Sequence, residues 1–181
     1  FLSLMLISSW NVNTVRARIE NIKSYLLKYN PNILMMQEIK TEDVNLPYDD
    51  FSSMDYESHV FGQKSYNGVA IISKVPVKLK NESLPGNAND PQARFIEVTV
   101  EGDDPFDIAS IYLPNGNPID TEKFDYKLDW MNKLLSYIKL KLENYETFIF
   151  GGDYNIIPSS EDALDINKWR NDALHHPKSI E

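Results

Sequence analysis

The sequence predicts an α/β sandwich with mixed sheets, and three observations lead there. Short apolar runs of strand length outnumber the helical stretches. The two amphipathic helices lie early and late in the chain rather than alternating with every strand. The first helix is flanked by two strand-like runs, an order that within one sheet gives a parallel, right-handed unit.

Each element follows in order. Leu2 to Ser8 is a near-continuous apolar run, the pattern of a strand covered on both faces, with Asn11 to Asn13 as its polar exit. From Thr14, Val15, Ile19, Ile22 and Leu26 recur at helical spacing until Pro31 blocks continuation. Ile33 to Met36 is a second buried strand that delivers Gln37 and Glu38 to its end. Residues 42–55 are acidic and irregular. His59 to Lys74 reads as two strands around Gly62 to Gly68, with Asn67-Gly68 as a tight turn. A loop of Pro, Gly and Asn runs from Pro85 to Pro91. Phe95 to Val100 and Asp107 to Leu113 read as strands joined by the acidic turn from Glu101 to Pro105. Phe124, Leu128, Met131, Leu135, Ile138 and Leu142 then mark a long helix. Thr147 to Phe150 is the last buried strand and ends at Gly151-Gly152-Asp153. Ser159 to Glu181 has weak periodicity. No repeat or linker interrupts residues 1–181, so a single domain is expected.

Composition narrows the function. A chain of 181 residues, 42% hydrophobic and 25% charged, buries one substantial core as a soluble globular protein. It has no cysteine, which excludes disulfides, thiolate metal sites and thiol catalysis and points to a reducing cytoplasm. The apolar opening from Phe1 to Ile7 lacks a basic leader and a small-residue cleavage site, and no run reaches the roughly 20 apolar residues of a membrane span. The net charge of −9 argues against holding nucleic acid by bulk electrostatics. Arg16, Arg18, Lys40, Lys64 and Arg94 nevertheless lie beside the motifs below, so a locally positive groove on an acidic body is compatible with it.

Three buried runs end alike. Asn11 follows Ser8-Ser9-Trp10, Glu38 follows Met35-Met36-Gln37, and Asp153 with Asn155 follows Phe150-Gly151-Gly152. Strand ends are where open α/β sheets assemble ligand sites, and oxygen-bearing side chains converging there make the set that a hard cation prefers. Alone, Glu38 reads equally as a helix cap or surface acid, and Asp153 with Asn155 as a turn satisfying its own backbone. The two glycines let backbone approach closely, leaving room for a phosphate or metal beside Asp153. Such a carboxylate would orient or deprotonate a water for in-line attack on phosphorus. Tyr112, before Leu113-Pro114-Asn115-Gly116, is either a phosphate hydrogen-bond donor or a half-buried core tyrosine; Lys123 and Lys127 lie just beyond. His59, His175 and His176 have no metal-ligand or triad spacing.

Taken in order, Ser9-Trp10-Asn11-Val12-Asn13 with Arg16-Ala17-Arg18, Gln37-Glu38-Ile39-Lys40, Gly62-Gln63-Lys64 with Asn67-Gly68-Val69-Ala70, Tyr112 to Gly116, and Gly151 to Ile156 with Pro158 resemble the successive motifs of exonuclease III-type apurinic/apyrimidinic endonucleases. The resemblance implies a four-layer sandwich of two mixed β-sheets flanked by helices, DNase I-like, with the site at one rim. It implies Glu38, Asn11, Asp153 and Asn155 around Mg²⁺, or Mn²⁺ in its place. Tyr112, Asp153 and Asn155 would be catalytic: Tyr112 on the scissile phosphate, Asp153 on the attacking water. Arg16, Lys40, Lys64, Asn67 and Asn115 would lie near the DNA backbone. The substrate would be double-stranded DNA with abasic sites or 3′ ends, and the protein a monomer. Members of that family continue to an Asn or Asp on a later strand and a terminal Ser-Asp-His motif; this sequence matches neither, so the fold is expected to be incomplete at its C-terminus and this stretch alone to be inactive. Two other readings stand beside it: another superfamily phosphodiesterase acting on phosphoinositide or sphingomyelin, and a non-catalytic DNA-binding remnant.

Overall fold

A computed structural model describes residues 4–181. Two four-stranded sheets stack face to face, ordered β1-β2-β4-β3 and β5-β6-β7-β8. The first holds β1 (Ile7–Asn11), β2 (Ile33–Gln37), β3 (Glu57–Phe61) and β4 (Val69–Ser73); the second holds β5 (Val77–Asn81), β6 (Phe95–Val100), β7 (Phe106–Tyr112) and β8 (Phe148–Asp153). Helices α1 (Ile19–Tyr29) and α2 (Tyr48–Ser52) accompany the first sheet, α3 (Glu122–Glu143) covers the second, and α4 (Pro177–Ile180) is a single turn near the end.

Strand alternation builds the layers. Along β2, Leu34 and Met36 join Ile22, Leu26 and Phe51 on the helix side, whereas Ile33 and Met35 meet Ile96, Val98 and Ile108 of the other sheet. A strand with apolar cover on both faces must be apolar throughout, which is why this run shows no polar alternation. On β6, Ile96, Val98 and Val100 face the first sheet, while Phe95 packs with Trp130, Leu134 and Tyr137 of α3. The four-layer α/β/β/α sandwich is therefore present, and each sheet is mixed: β1 runs parallel to β2 and β7 to β8, the remaining pairs antiparallel.

Several expectations shift. Leu2 and Ser3 of the anticipated first strand lie outside the described residues, and β1 begins at Ile7; it pairs only with β2 among them, so it is half-covered rather than buried. A 3-10 turn, Arg16–Arg18, closed by the Arg18 N–H on the Val15 carbonyl, precedes α1, and the Thr14 and Val15 N–H groups ahead of it bond the Glu38 and Ile39 carbonyls. The acidic stretch contains the short helix α2, anchored by fully buried Phe51. Strand β5 is concealed by Lys78 and Lys80, residues typical of an exposed edge. At the two glycines before Asp153 the space that a side chain would take is filled by protein rather than left for a ligand: a Cβ on Gly151 would meet Met35 Cε, and one on Gly152 the carbonyl oxygen of Ile111. Their smallness serves packing between and within the sheets.

Helix α3 departs most. Its buried stripe is Phe124, Lys127, Trp130, Leu134, Tyr137 and Lys141, whereas Leu135 and Leu142 of the apolar series are 48% and 59% exposed. Lys141 is buried because anions wait for it. Its ammonium lies 2.9 Å from Glu97 Oε1 and 2.9 Å from Glu146 Oε2, and bonds Asp107, which also accepts from Lys80 and Thr99. Burial pushes the Asp107 carboxyl up, but those three donors outweigh it and hold it at about 2. Removing one member of such a buried cluster costs about 3–5 kcal/mol. Lys141→Met is therefore expected to lower unfolding stability by about that amount in urea titrations. A depressed carboxyl stabilises above its unfolded value, near 3.8, and that contribution is lost as pH falls toward about 2. The acid-side decline in the wild-type urea midpoint should accordingly be smaller in the variant.

Candidate active site

The rim where β1, β2, β7 and β8 end gathers most of the singled-out residues. Asn11, last in β1, sits between two carboxylates: its Nδ2 donates to Glu38 Oε1 and to Asp153 Oδ2, each at 2.8 Å. Residues 142 positions apart are thereby joined through one amide, and the two sheets are tied at this edge. Just inside, buried Gln37 donates to Ser110 Oγ at 2.9 Å, which in turn donates to the Met36 carbonyl, so the inter-sheet core turns polar as it nears the rim.

Backbone strain aims the Glu38 carboxylate. Glu38 and Lys40 hold φ of 52° and 51°, a left-handed conformation that residues other than glycine rarely adopt. Pinning from both sides maintains it: the Glu38 and Ile39 carbonyls accept from Thr14 and Val15, while Ile39 and Lys40 donate to the carbonyls of Gly68 and Asn67. Asn67 and Gly68 have positive φ, but they close the seven-residue connection 62–68 instead of forming the expected tight turn between β3 and β4. Lys40 Nζ then reaches Glu38 Oε2 at 2.8 Å and Asn13 Oδ1 at 2.7 Å. Burial pushes the Glu38 carboxyl up, and the donors Asn11, Lys40 and Tyr112 bring it below the ordinary carboxylate range.

Tyr112 ends β7. Burial, and then the Glu38 carboxylate beside it, push its phenol up to about 12, so at neutral pH it is a donor and not a phenolate. The guanidinium of Arg94 lies 4.8 Å from the Tyr112 ring centre and 5.9 Å from that of Tyr126. Arg94 also donates to the Tyr112 carbonyl at 3.2 Å and to Gln92 Oε1 at 2.8 Å. Asp153 Oδ1 accepts the Asn155 backbone N–H at 3.0 Å, and the Asn155 amide donates to the Leu113 carbonyl at 2.8 Å. Asn155 thus braces the turns after β7 and β8 against each other.

A cleft of about 510 Å³ is lined by Tyr66, Asn67, Arg94, Asn115, Lys123 and Tyr126 among others, and Arg94 connects it to the Tyr112 ring. Arg16 and Lys64 are exposed and outside that lining, and Lys40 is engaged with Glu38. His175 bonds the Ile157 carbonyl and His176 packs edge-to-face against Phe124, so neither takes one of the two acids as its partner. From the sequence Arg94 is only one of several bases of a locally positive groove, and Tyr126 has no role at all. The segment Asp90-Pro91-Gln92-Ala93-Arg94 held the signal, since a base immediately before an alternating strand lands at the same rim.

Residues 8 to 179 match the Endonuclease/Exonuclease/phosphatase family. The chain belongs to that family. Within it, exodeoxyribonuclease III of Haemophilus influenzae is 30% identical over 158 residues, which is 85% of this chain and 58% of that protein. A 3′ phosphatase from Neisseria, solved with a product DNA hairpin, superposes with a TM-score of 0.89 at 30% identity, covering 98% of this chain and 68% of the other. An AP endonuclease from Archaeoglobus fulgidus superposes at 0.86, again 30% identical, over 98% and 67%. The chain thus spans about three fifths of the Haemophilus protein's length. These are DNA-directed members of the Endonuclease/Exonuclease/phosphatase family, and no helix among the described residues is long and apolar enough to cross a membrane.

If Asn11 is the shared donor, Asn11→Ala should raise the Glu38 pKa, followed by carbon-13 carboxyl NMR in metal-free protein; a Glu38 titration identical to wild type would contradict the bridge.

Proposed function

We propose that this rim is the active site of a Mg²⁺-dependent DNA-repair nuclease that hydrolyses the phosphodiester on the 5′ side of an abasic site in double-stranded DNA, with 3′ to 5′ exonuclease or 3′-phosphodiesterase action as well. The observation that carries the reading is the Asn11 amide joining Glu38 to Asp153 beside the Tyr112 phenol. The DNA-directed relatives support the substrate class.

The donor set fits the metal. Among the described residues no three His, Asp or Glu side chains cluster as a closed metal site. Mg²⁺ does not need one, since it is commonly held by one or two carboxylates and completes its shell with water and substrate phosphate. Glu38 and Asp153, with the carboxamide oxygen of Asn155, would hold it, while Asn11, whose nitrogen faces both acids and whose oxygen accepts the Asn13 N–H, would orient them rather than ligate as expected from the sequence. Bound there, the ion would polarise the phosphate and offset charge developing on its oxygens.

The chain's own groups supply the rest. Both Asp153 oxygens already accept one hydrogen bond, which fixes the carboxylate's orientation and leaves a second lone pair on each for the attacking water. Tyr112, kept protonated, donates to an oxygen of the scissile phosphate, and Arg94 behind its ring adds positive charge. The backbone of the strand lies along the cleft past Asn67 and Asn115. We read the enzyme as a monomer of a reducing compartment, in keeping with a cysteine-free chain.

Assay of the full-length protein on an abasic-site duplex, with a phosphoinositide in parallel, tests this. Mg²⁺-dependent incision that EDTA abolishes is expected on the duplex, and hydrolysis of the lipid alone would overturn the assignment. Asp153→Asn should lower the incision rate by about 10²–10⁴, the span of a positioned general base.

A further inference from the structure

Lys127 is the second buried lysine of α3, with no solvent exposure, and unlike Lys141 it forms no ion pair among the described residues. Its ammonium donates to three backbone carbonyls: Asn155 at 2.6 Å, Asn115 at 3.2 Å and Ala173 at 3.2 Å. Three N–H donors meet three acceptors, so the charge is buried yet completely hydrogen-bonded. Each carbonyl belongs to a different loop. Asn115 follows β7 and Tyr112, Asn155 follows β8 and Asp153, and Ala173 lies in the 3-10 turn Ala173–His175.

Neighbouring contacts concentrate on the same junction. Asn117 accepts the Ala173 N–H at 2.9 Å and donates to Asp172 Oδ1 at 3.0 Å, tying the first loop to the third. Gly116, at φ of 85°, passes over the lysine stem so closely that a Cβ would lie 2.5 Å from Lys127 Cδ. Burial pulls the Lys127 amine down to about 8, opposed by Asp172 and Asp153. A Leu or Met at this position of the stripe would seal the core without that cost, since buried charges seldom improve on apolar packing. What an apolar side chain cannot do is hold three carbonyls at one point.

We propose that Lys127 is a positioning residue: its ammonium clamps the loops after β7 and β8 together and so fixes the spacing between Tyr112 and the Asp153–Asn155 turn. Its consequence for rate rests on the nuclease reading above; the clamp itself does not.

The test compares full-length wild type, Lys127→Met and Lys141→Met. Lys141→Met also removes a buried ammonium from α3 but far from the rim, and so controls for lost stability. Hydrogen exchange is followed in residues 112–117 and 153–157. Lys127→Met should speed exchange in both by about tenfold or more, the effect of orphaning buried carbonyls, and Lys141→Met should not. On abasic duplex, kcat per folded molecule should fall about 10²-fold in Lys127→Met with little change in KM, as expected when reacting groups are displaced by about 1 Å. Should Lys127→Met not fold, Lys127→Gln carries the same comparison, because its amide is neutral and too short for all three carbonyls. Unchanged exchange in the two loops overturns the clamp, and loosened loops with kcat equal to that of Lys141→Met overturn its role in positioning. Wild type that leaves abasic DNA uncut counts against the nuclease reading alone, and the exchange measurement still decides the clamp.

Discussion

Two carboxylates from separate sheets, Glu38 and Asp153, share one hydrogen-bond donor, and the geometry of the rim depends on it. Like charges brought together at the edge of a low-dielectric core repel. The Asn11 amide gives both a donor without adding charge, while Lys40 neutralises the outer face of one of them. Much of the surrounding architecture serves to deliver these three groups. The parallel pairing of β1 with β2 sets Asn11 opposite Gln37, one residue before Glu38, and that of β7 with β8 sets Tyr112 opposite Asp153. Both pairs end at the same height because the sheets are stacked, and Gly151 allows them to approach at that height.

The fold was legible wherever burial is two-sided or strictly alternating. β2, β4, β6 and β7 are such strands, and β1-α1-β2 follows from spacing and from Pro31. It was least legible where polarity hides burial. Lys78 and Lys80 disguise β5, and an acidic surface disguises α2, whose identity hangs on one phenylalanine. The candidate site was readable as a convergence of strand ends, because a carboxylate or amide after a buried run has nowhere else to go. Its connections were not. That Asn11 would donate to both acids, that Arg94 would lie behind Tyr112, and that the two glycines would face Met35 and Ile111 depends on distances between elements remote in sequence.

On the nuclease reading proposed above, a strongly acidic body would meet nucleic acid at this rim without holding it by overall charge. A few cations set against aromatic rings, here Arg94 between Tyr112 and Tyr126, make a local positive surface while the body stays negative. Strain follows the same economy of placement. The left-handed conformations at Glu38, Lys40 and Asn155 sit at the acids, the first two held by main-chain bonds from neighbouring segments and the third by the Asp153 carboxylate and the Lys127 ammonium.

Helix α3 carries a leucine-rich stripe and a lysine-bearing one, and the second is the one it buries. A helix with only the leucines would have a competing way to lie on the sheet, rotated by roughly one residue or about 100°. In that pose both ammonium groups would leave their acceptors, stranding Glu97 and Asp107 at one end and three loop carbonyls at the other. Two charges 14 positions apart therefore act as a pair of keys that admit a single rotation and a single axial shift. The same rotation would lift Trp130 and Tyr137 out of the core, so the lysines add uniqueness to a docking whose adhesion those rings supply.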